Sequence, residues 1–295
     1  MRERISPEPE LDGDLLEQFE ERGYLVLPGF LPSASLDRLE REVDLWVDSG
    51  LRQKSIDACR EPQEYGTPDV LEIQLEAHGE LAVHAPLMAL LSEVMGPSFV
   101  FHHMHCDRRA PGAPGKGWHH DYEQVPQRGR DRIMVHALHY IRGLRPELGG
   151  LAVLPGSHRE IAEKTARAHL GTRELPSETV IDELPAGSTV VIHSALFHAR
   201  RSAPGATGGP RYMIDASYCQ TGTRWPPVKP YWRHVLATAR GLGLDRGWPD
   251  LFDERHFTEY GATGAGATDA GAAEDGVTDT GAAEDGEATR EARER

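Results

Sequence analysis

The sequence predicts an α+β protein, mainly β with flanking helices, in which an antiparallel sheet framework carries helices packed against it. Three observations predict this class. Stretches with helical spacing crowd into the first hundred residues. β-branched or alternating runs then fill the region from Ser98 to Cys219, and Gly/Pro turns separate them. Helices first and strands later do not make the βαβ alternation of a parallel sheet.

The elements follow in order. Leu15, Leu16 and Phe19 form a short helical stripe that Gly23 closes, because glycine tolerates the left-handed cap conformation. Residues 24–27 read as a strand. Ser33 is the expected N-cap of a second helix, whose Leu36, Leu39, Val43 and Val47 share one face. Pro86 suits the first turn of a third helix, with Leu87, Leu90, Leu91 and Val94 inward and Gly96 at its end. Strands are expected at 98–105, 132–141, 151–154, 188–193 and 211–219. Residues 225–230 are proline-rich and loop-like, and 231–240 read as a last helix.

Composition bounds the function. Hydrophobic residues make up 39% and charged residues 27% of the 295, an ordinary balance for a globular chain. No stretch approaches the roughly 18 consecutive apolar residues of a membrane span, so no membrane partner is expected. Residues 1–10 are charged and show no secretory signal. Cys59, Cys106 and Cys219 are scattered without a CxxC pair, which fits a reducing compartment and a cytoplasmic location. The net charge is −15, of which the segment from Gly261 onward carries −6. An acidic body lacks the clustered Lys and Arg that neutralise phosphates, so nucleic acid is excluded as a partner.

The C-terminal segment repeats itself: GATDAGAAED at 266–275 is followed by GVTDTGAAED at 276–285. With no aromatic residue and little larger than alanine, it cannot offset the entropy of ordering. Residues 261–295 are therefore expected to be a disordered acidic tail. Residues 1–260 are expected to form one domain: a helical part over about 10–96, a strand-rich core over about 97–220 and an extension over 221–260.

The chemistry concentrates in Trp118-His119-His120-Asp121-Tyr122. In extended chain, residues i and i+2 project to one side, so His119 and Asp121 can converge on one metal while His120 points away. One imidazole and one carboxylate suit iron(II) better than the usual structural zinc sets. A third ligand must come from elsewhere, and His198, at the end of the strand-like run from Ser188, is the candidate. His193 competes with His198, and His120 with His119. Two histidines and one carboxylate leave coordination positions open for a co-substrate and O₂.

Four segments in this order resemble the phytanoyl-CoA dioxygenase family. They are the run 18–31 (QFEERGYLVLPGFL), WHHDY at 118–122, GGLAVLPGSHR at 149–159 and PAGSTVVIH at 185–193. The resemblance covers roughly residues 15–220. It implies a double-stranded β-helix, a jelly-roll, cupin-like barrel. It also implies that His119, Asp121 and His198 are catalytic iron ligands, and that Arg211 grips the far carboxylate of 2-oxoglutarate, as a planar guanidinium can. Arg200 and Arg201 are rivals for that last role. Aligned through Met104, the family pattern sets His102 against 2-oxoglutarate. The sequence departs from the pattern at Arg200, where relatives often carry a small serine, and at Ala137, where they often carry tryptophan. Asp121 is retained, whereas halogenating relatives replace this carboxylate with a small residue.

The activity so implied is an iron(II)- and 2-oxoglutarate-dependent dioxygenase. It would use O₂ to hydroxylate an unactivated C–H bond of a small-molecule metabolite, releasing succinate and CO₂. Acyl-CoA, an amino-acid derivative and a secondary metabolite all remain open as substrates. Residues 127–132 carry three arginines and are a possible lid. Trp118, Tyr122 and Phe197 are expected to pack behind the ligands. The rival readings are a cupin-like metalloenzyme without 2-oxoglutarate and a non-catalytic jelly-roll binding protein.

Overall fold

The computed structural model of the chain describes residues 14–124 and 130–261. The acidic repeat, the charged first ten residues and positions 127–129 of the arginine-bearing loop lie outside the described residues.

Helix α1 (Asp14–Arg22) buries Phe19 and ends at Gly23, whose φ of 83° and N–H bond to the Phe19 carbonyl make the left-handed stop. Strand β1 (Tyr24–Leu27) follows. Helix α2 (Ser33–Asp48) buries Leu39, Val43 and Trp46. Ser33 is the first helical residue and not the cap. Pro32 stands at the cap position without a side-chain bond, because its fixed φ already suits helix entry. Helices α3 (Leu51–Arg60), α4 (Pro62–Tyr65) and α5 (Glu76–Ala82) extend the helical layer beyond what periodicity had suggested. Glu42 of α2 docks α5: its carboxylate accepts from the Ala77 and His78 backbone N–H groups at 2.9 and 3.0 Å. Helix α6 (Ala85–Met95) has proline in its first turn and buries Leu87, Leu90, Leu91 and Val94.

The strands come next: β2 (Phe99–Arg109), β3 (Lys116–His119), β4 (Met134–Tyr140), β5 (Leu151–Val153), β6 (Thr179–Ile181), β7 (Ser188–His193), β8 (His198–Arg200) and β9 (Arg211–Gln220). They form two antiparallel sheets, five-stranded in the order β1-β7-β4-β9-β2 and four-stranded in the order β3-β8-β5-β6. Neither sheet closes on itself among the described residues, and no ladder joins the two. The mostly antiparallel architecture with flanking helices is thus met, as two open sheets among the described residues. Helix α7 (Trp232–Gly241) packs Trp232 and Leu236 into the main core.

The large sheet positions everything else. One face of β4 gives Val135 and Ala137 to the core shared with the helices. The other face presents His136, Leu138 and Tyr140 inward, so all seven residues of the strand are buried. Each fully buried Leu or Val of the core contributes about 1.5–3 kcal/mol, which anchors the sheet as a rigid wall. No helix among the described residues is long and apolar enough to cross a membrane.

Candidate metal centre and its cavity

His119 ends β3 and His198 begins β8, and the antiparallel pairing of these strands sets the two residues opposite one another. Their rings lie 4.2 Å apart. Asp121, two residues beyond His119, is anchored by its own N–H, which donates to the Ser194 carbonyl at 2.7 Å. Its Oδ1 is 3.5 Å from His119 Nε2 and its Oδ2 3.2 Å from His198 Nε2. The i, i+2 reasoning is thus met, and a strand pairing supplies the third group.

Both imidazoles are oriented in the same way. His119 Nδ1 lies 2.8 Å from the Gly117 carbonyl and His198 Nδ1 3.0 Å from the Leu196 carbonyl. A carbonyl only accepts, so each Nδ1 carries the proton and each Nε2 offers its lone pair toward Asp121. Burial pushes the His119 pKa well below its ordinary value, which keeps the ring neutral. Burial alone would raise the Asp121 carboxyl, but the positive field at this corner, Lys116 included, outweighs it and holds the group well below the usual carboxylate range. Asp121 Oδ1 is buried and has no hydrogen-bond partner. Two imidazole lone pairs and an unsatisfied carboxylate oxygen on one side are a donor set that fits a divalent iron with open positions.

The competing histidines are placed elsewhere. His120 Nε2 meets the Ala162 carbonyl at 3.0 Å and its ring packs on Phe197. His193 stacks on Tyr122 and accepts the Ala195 N–H at 3.0 Å. A second group of possible ligands, Asp250, Asp253 and His256, is half-exposed, and Arg255 already pairs with both aspartates.

The three groups open onto a cavity of about 140 Å³ whose far wall is the inner face of β2, β4 and β9. Arg211, the first residue of β9, projects into it and is 5% exposed. Among the described residues neither its guanidinium nor the hydroxyl of Tyr140, also buried on this wall, has a hydrogen-bond partner. Burial lowers the Arg211 pKa from its ordinary value. Arg200, from β8, lines the same space, donates to the Pro114 carbonyl at 2.9 Å and is pushed down to about 10 by burial and by Arg211. Arg201 faces the other way, paired with Glu178 at 2.5 Å and lying over Trp118. A buried cation without a partner is costly unless an anion joins it, so this end of the cavity calls for a carboxylate.

The family model described as phytanoyl-CoA dioxygenase (PhyH) matches residues 19–213. The chain belongs to the phytanoyl-CoA dioxygenase family. Solved structures similar to this family member include HygX from Streptomyces hygroscopicus with nickel and 2-oxoglutarate bound, at 20% identity and a TM-score of 0.55 over 74% of this chain and 90% of that one. The epimerase SnoN in complex with Fe3+, alpha ketoglutarate and nogalamycin RO aligns at 18% identity and a TM-score of 0.54, over 72% of this chain and 85% of SnoN. The non-heme monooxygenase ThoJ with nickel aligns at 17% identity and a TM-score of 0.52, over 70% and 77% of the two chains. No curated protein sequence matches. Family and neighbours together point to an iron- and 2-oxoglutarate-dependent enzyme.

This phytanoyl-CoA dioxygenase family member departs from expectation on β2. His102 does not reach the cavity. Its Nε2 meets the Pro226 carbonyl at 2.9 Å and its ring stacks on Phe257. A β-bulge between Phe101 and His103 shifts the register, so the next inward residues are His103 and His105. They meet a polar group that sequence reasoning missed. His136 Nδ1 donates to the Asp215 carboxylate, at 2.9 and 3.0 Å from its two oxygens, with Ser217 Oγ 2.9 Å from the same nitrogen. Burial would lower the His136 pKa, but Asp215 outweighs it and raises the group to about 9. The available signal was the i, i+2 series Arg211, Met213, Asp215, Ser217, which puts an aspartate on the same face as a cavity arginine. Trp118, Tyr122 and Phe197 are fully buried, and none of them lines the cavity.

Proposed function

We propose that the protein is an iron(II)- and 2-oxoglutarate-dependent dioxygenase that hydroxylates an unactivated C–H bond of a small-molecule metabolite, releasing succinate and CO₂. The observation that carries this reading is the convergence of His119, Asp121 and His198 on a cavity that also holds the unpartnered guanidinium of Arg211. Iron(II), when bound, supplies activation of O₂ coupled to oxidative decarboxylation of 2-oxoglutarate. His119 and His198 hold it through Nε2 and Asp121 through the oxygen that lacks a partner. Arg211 takes the distal carboxylate of 2-oxoglutarate as a charge-assisted pair, with Tyr140 and Arg200 beside it. The buried inner wall excludes water and orients the substrate, so the C–H bond presented to the metal sets the product. The two sheets, meeting across the cavity, are read as the halves of a jelly roll.

Epimerisation is a second outcome available to the same residues, and the likeness to the epimerase SnoN favours keeping it. Neighbours solved with nogalamycin and hygromycin B support a small-molecule substrate. Retention of Asp121 argues against halogenation. Under anaerobic conditions, iron(II) with 2-oxoglutarate should give a weak visible charge-transfer band. Its absence at saturating ligand would favour a cupin-like metalloenzyme or a non-catalytic binding protein instead.

A further inference from the structure

Along the inner face of β9 the cavity changes character. At one end Arg211 and Arg200 stand together with no carboxylate in ion-pair contact among the described residues, and Asp107 acts on both from further off. Four and six residues on, Asp215 and Ser217 lie across the ladders from His105 and His103 on β2, with His136 beside them on β4. These side chains form one hydrogen-bonded surface. Ser217 Oγ is 2.9 Å from His136 Nδ1 and 3.4 Å from His103 Nε2, and the His103 and His105 rings stack at 6.2 Å. His136 is 3% exposed, lines the cavity and has a buried Nε2 with no hydrogen-bond partner. It also sits near enough to the metal centre for the Asp121 charge to act on it.

Three ion pairs lie around this end. Glu72 pairs with Lys229 at 2.5 Å, Glu123 with Lys164 at 2.5 Å, and Asp215 with His136 at 2.9 Å. Matched charges give little net attraction for an ionic ligand, whereas hydrogen-bonding groups remain. We propose that this end of the cavity binds the primary substrate, and that the substrate is a neutral, hydroxyl-rich molecule of the sugar or cyclitol type with an oxygen placed on His136 Nε2. The inference rests on the dioxygenase reading, since it takes the Arg211 end as the seat of 2-oxoglutarate. An acyl chain laid here would desolvate His136 and His105 and return no bonds, so their full desolvation cost would count against it. A hydroxylated ring replaces those bonds, and Leu138 and Trp46 on the same cavity offer apolar surface to its C–H faces.

The test uses the iron(II)-loaded full chain with 2-oxoglutarate. Two sets of probes are compared by substrate-stimulated succinate release: cyclitols, hexoses and N-acetylhexosamines against medium- and long-chain acyl-CoA thioesters. The hydroxylated set should stimulate release. In His136→Gln, half-maximal release should need about tenfold more of the same probe, the loss expected for one hydrogen bond to a charged group. The 2-oxoglutarate concentration that half-develops the charge-transfer band should move less than about twofold in that variant. Stimulation by acyl-CoA alone, silence from the whole hydroxylated set, or equal shifts in both concentrations would each overturn the inference. Failure of the band in the unaltered protein would instead strike the dioxygenase reading, so the two failures are separable.

Discussion

The two sheets meet the same cavity in opposite ways. The four-stranded sheet touches it with strand ends: His119 closes β3 and His198 opens β8, and each ring is fixed by a carbonyl two residues earlier in its own chain. The five-stranded sheet presents a broad face, where the inward side chains of three long strands act together. One wall is a point assembly of three donors and the other a surface set by register. A point assembly should fail completely when one member is removed. A surface should weaken by degrees.

The largest effect therefore belongs to Asp121→Ala. It removes the only anionic donor of the cluster and, among the described residues, the carboxylate that reaches both histidines. Iron affinity should fall by more than the roughly 100-fold that loss of a supporting partner costs, and succinate release should drop to background. Retained metal binding, measured by equilibrium dialysis of the variant, would sink the assignment.

Arg211→Met comes next and carries two opposite signs. Replacing a buried, unpartnered cation by an apolar side chain should raise the stability of the ligand-free protein by on the order of 1 kcal/mol or more. The same change should weaken 2-oxoglutarate binding by about 30-fold or more, since it removes a charge partner in a desolvated site. In thermal melts the unaltered protein should be stabilised by 2-oxoglutarate, by about 2.7 kcal/mol at one hundred times its dissociation constant. The variant should not respond at that concentration. A variant both less stable and still ligand-responsive would mean that Arg211 has a structural role only.

Arg200→Ser sharpens the same wall with a smaller effect. Arg200 keeps a bond to the Pro114 carbonyl and reaches the carboxylate end as a second cation. Its loss should weaken 2-oxoglutarate by roughly three- to tenfold, the range of one partly solvated charge-assisted bond. An effect as large as that of Arg211→Met would make Arg200 the principal clamp.

The contrast between the walls also explains what could be read from the chain. His119 and Asp121 were legible because i, i+2 spacing is a local property, and His198 because it follows a β-branched strand. The cores of α2 and α6 were legible from one-sided apolar stripes. Strands β3, β6 and β8 have three or four residues, too few for a period to show. Helix α3 is rich in charge and buries Ser55, Ile56, Ala58 and Cys59, so a single large apolar residue marks its inner face. His102 was set against the co-substrate only by aligning the family pattern through Met104, and in this chain the face that carries Met104 turns away from the cavity. Asp215 and His136 carried no signal of their own, since a polar residue in a strand usually faces solvent. Only the ladder between β4 and β9 shows that they face each other inside the protein.

The smallest effect is a pH dependence specific to the surface wall. Asp215 raises His136 from an ordinary 6.5 to about 9 in the folded protein, against the opposing pull of burial. A raised folded pKa means that the native state holds a proton the unfolded chain has released. The stabilisation is fully present below pH 6.5 and is lost as pH climbs to about 9, so stability should decline across that window. His105 faces Asp215 at 3.7 Å and shares its field, while His103 is held neutral by burial and adds no slope there. Chemical denaturation of the metal-free protein at a series of pH values measures the slope. In Asp215→Asn the carboxylate that holds the proton is gone, so the decline between pH 6.5 and 9 should flatten. The overall stability of that variant will also fall, because one amide oxygen cannot replace two carboxylate oxygens on His136 Nδ1. The slope and not the level is therefore the readout. An unchanged slope would mean that the proton is held elsewhere, and that the polar face of the large sheet is a packing feature whose charge state does not depend on Asp215.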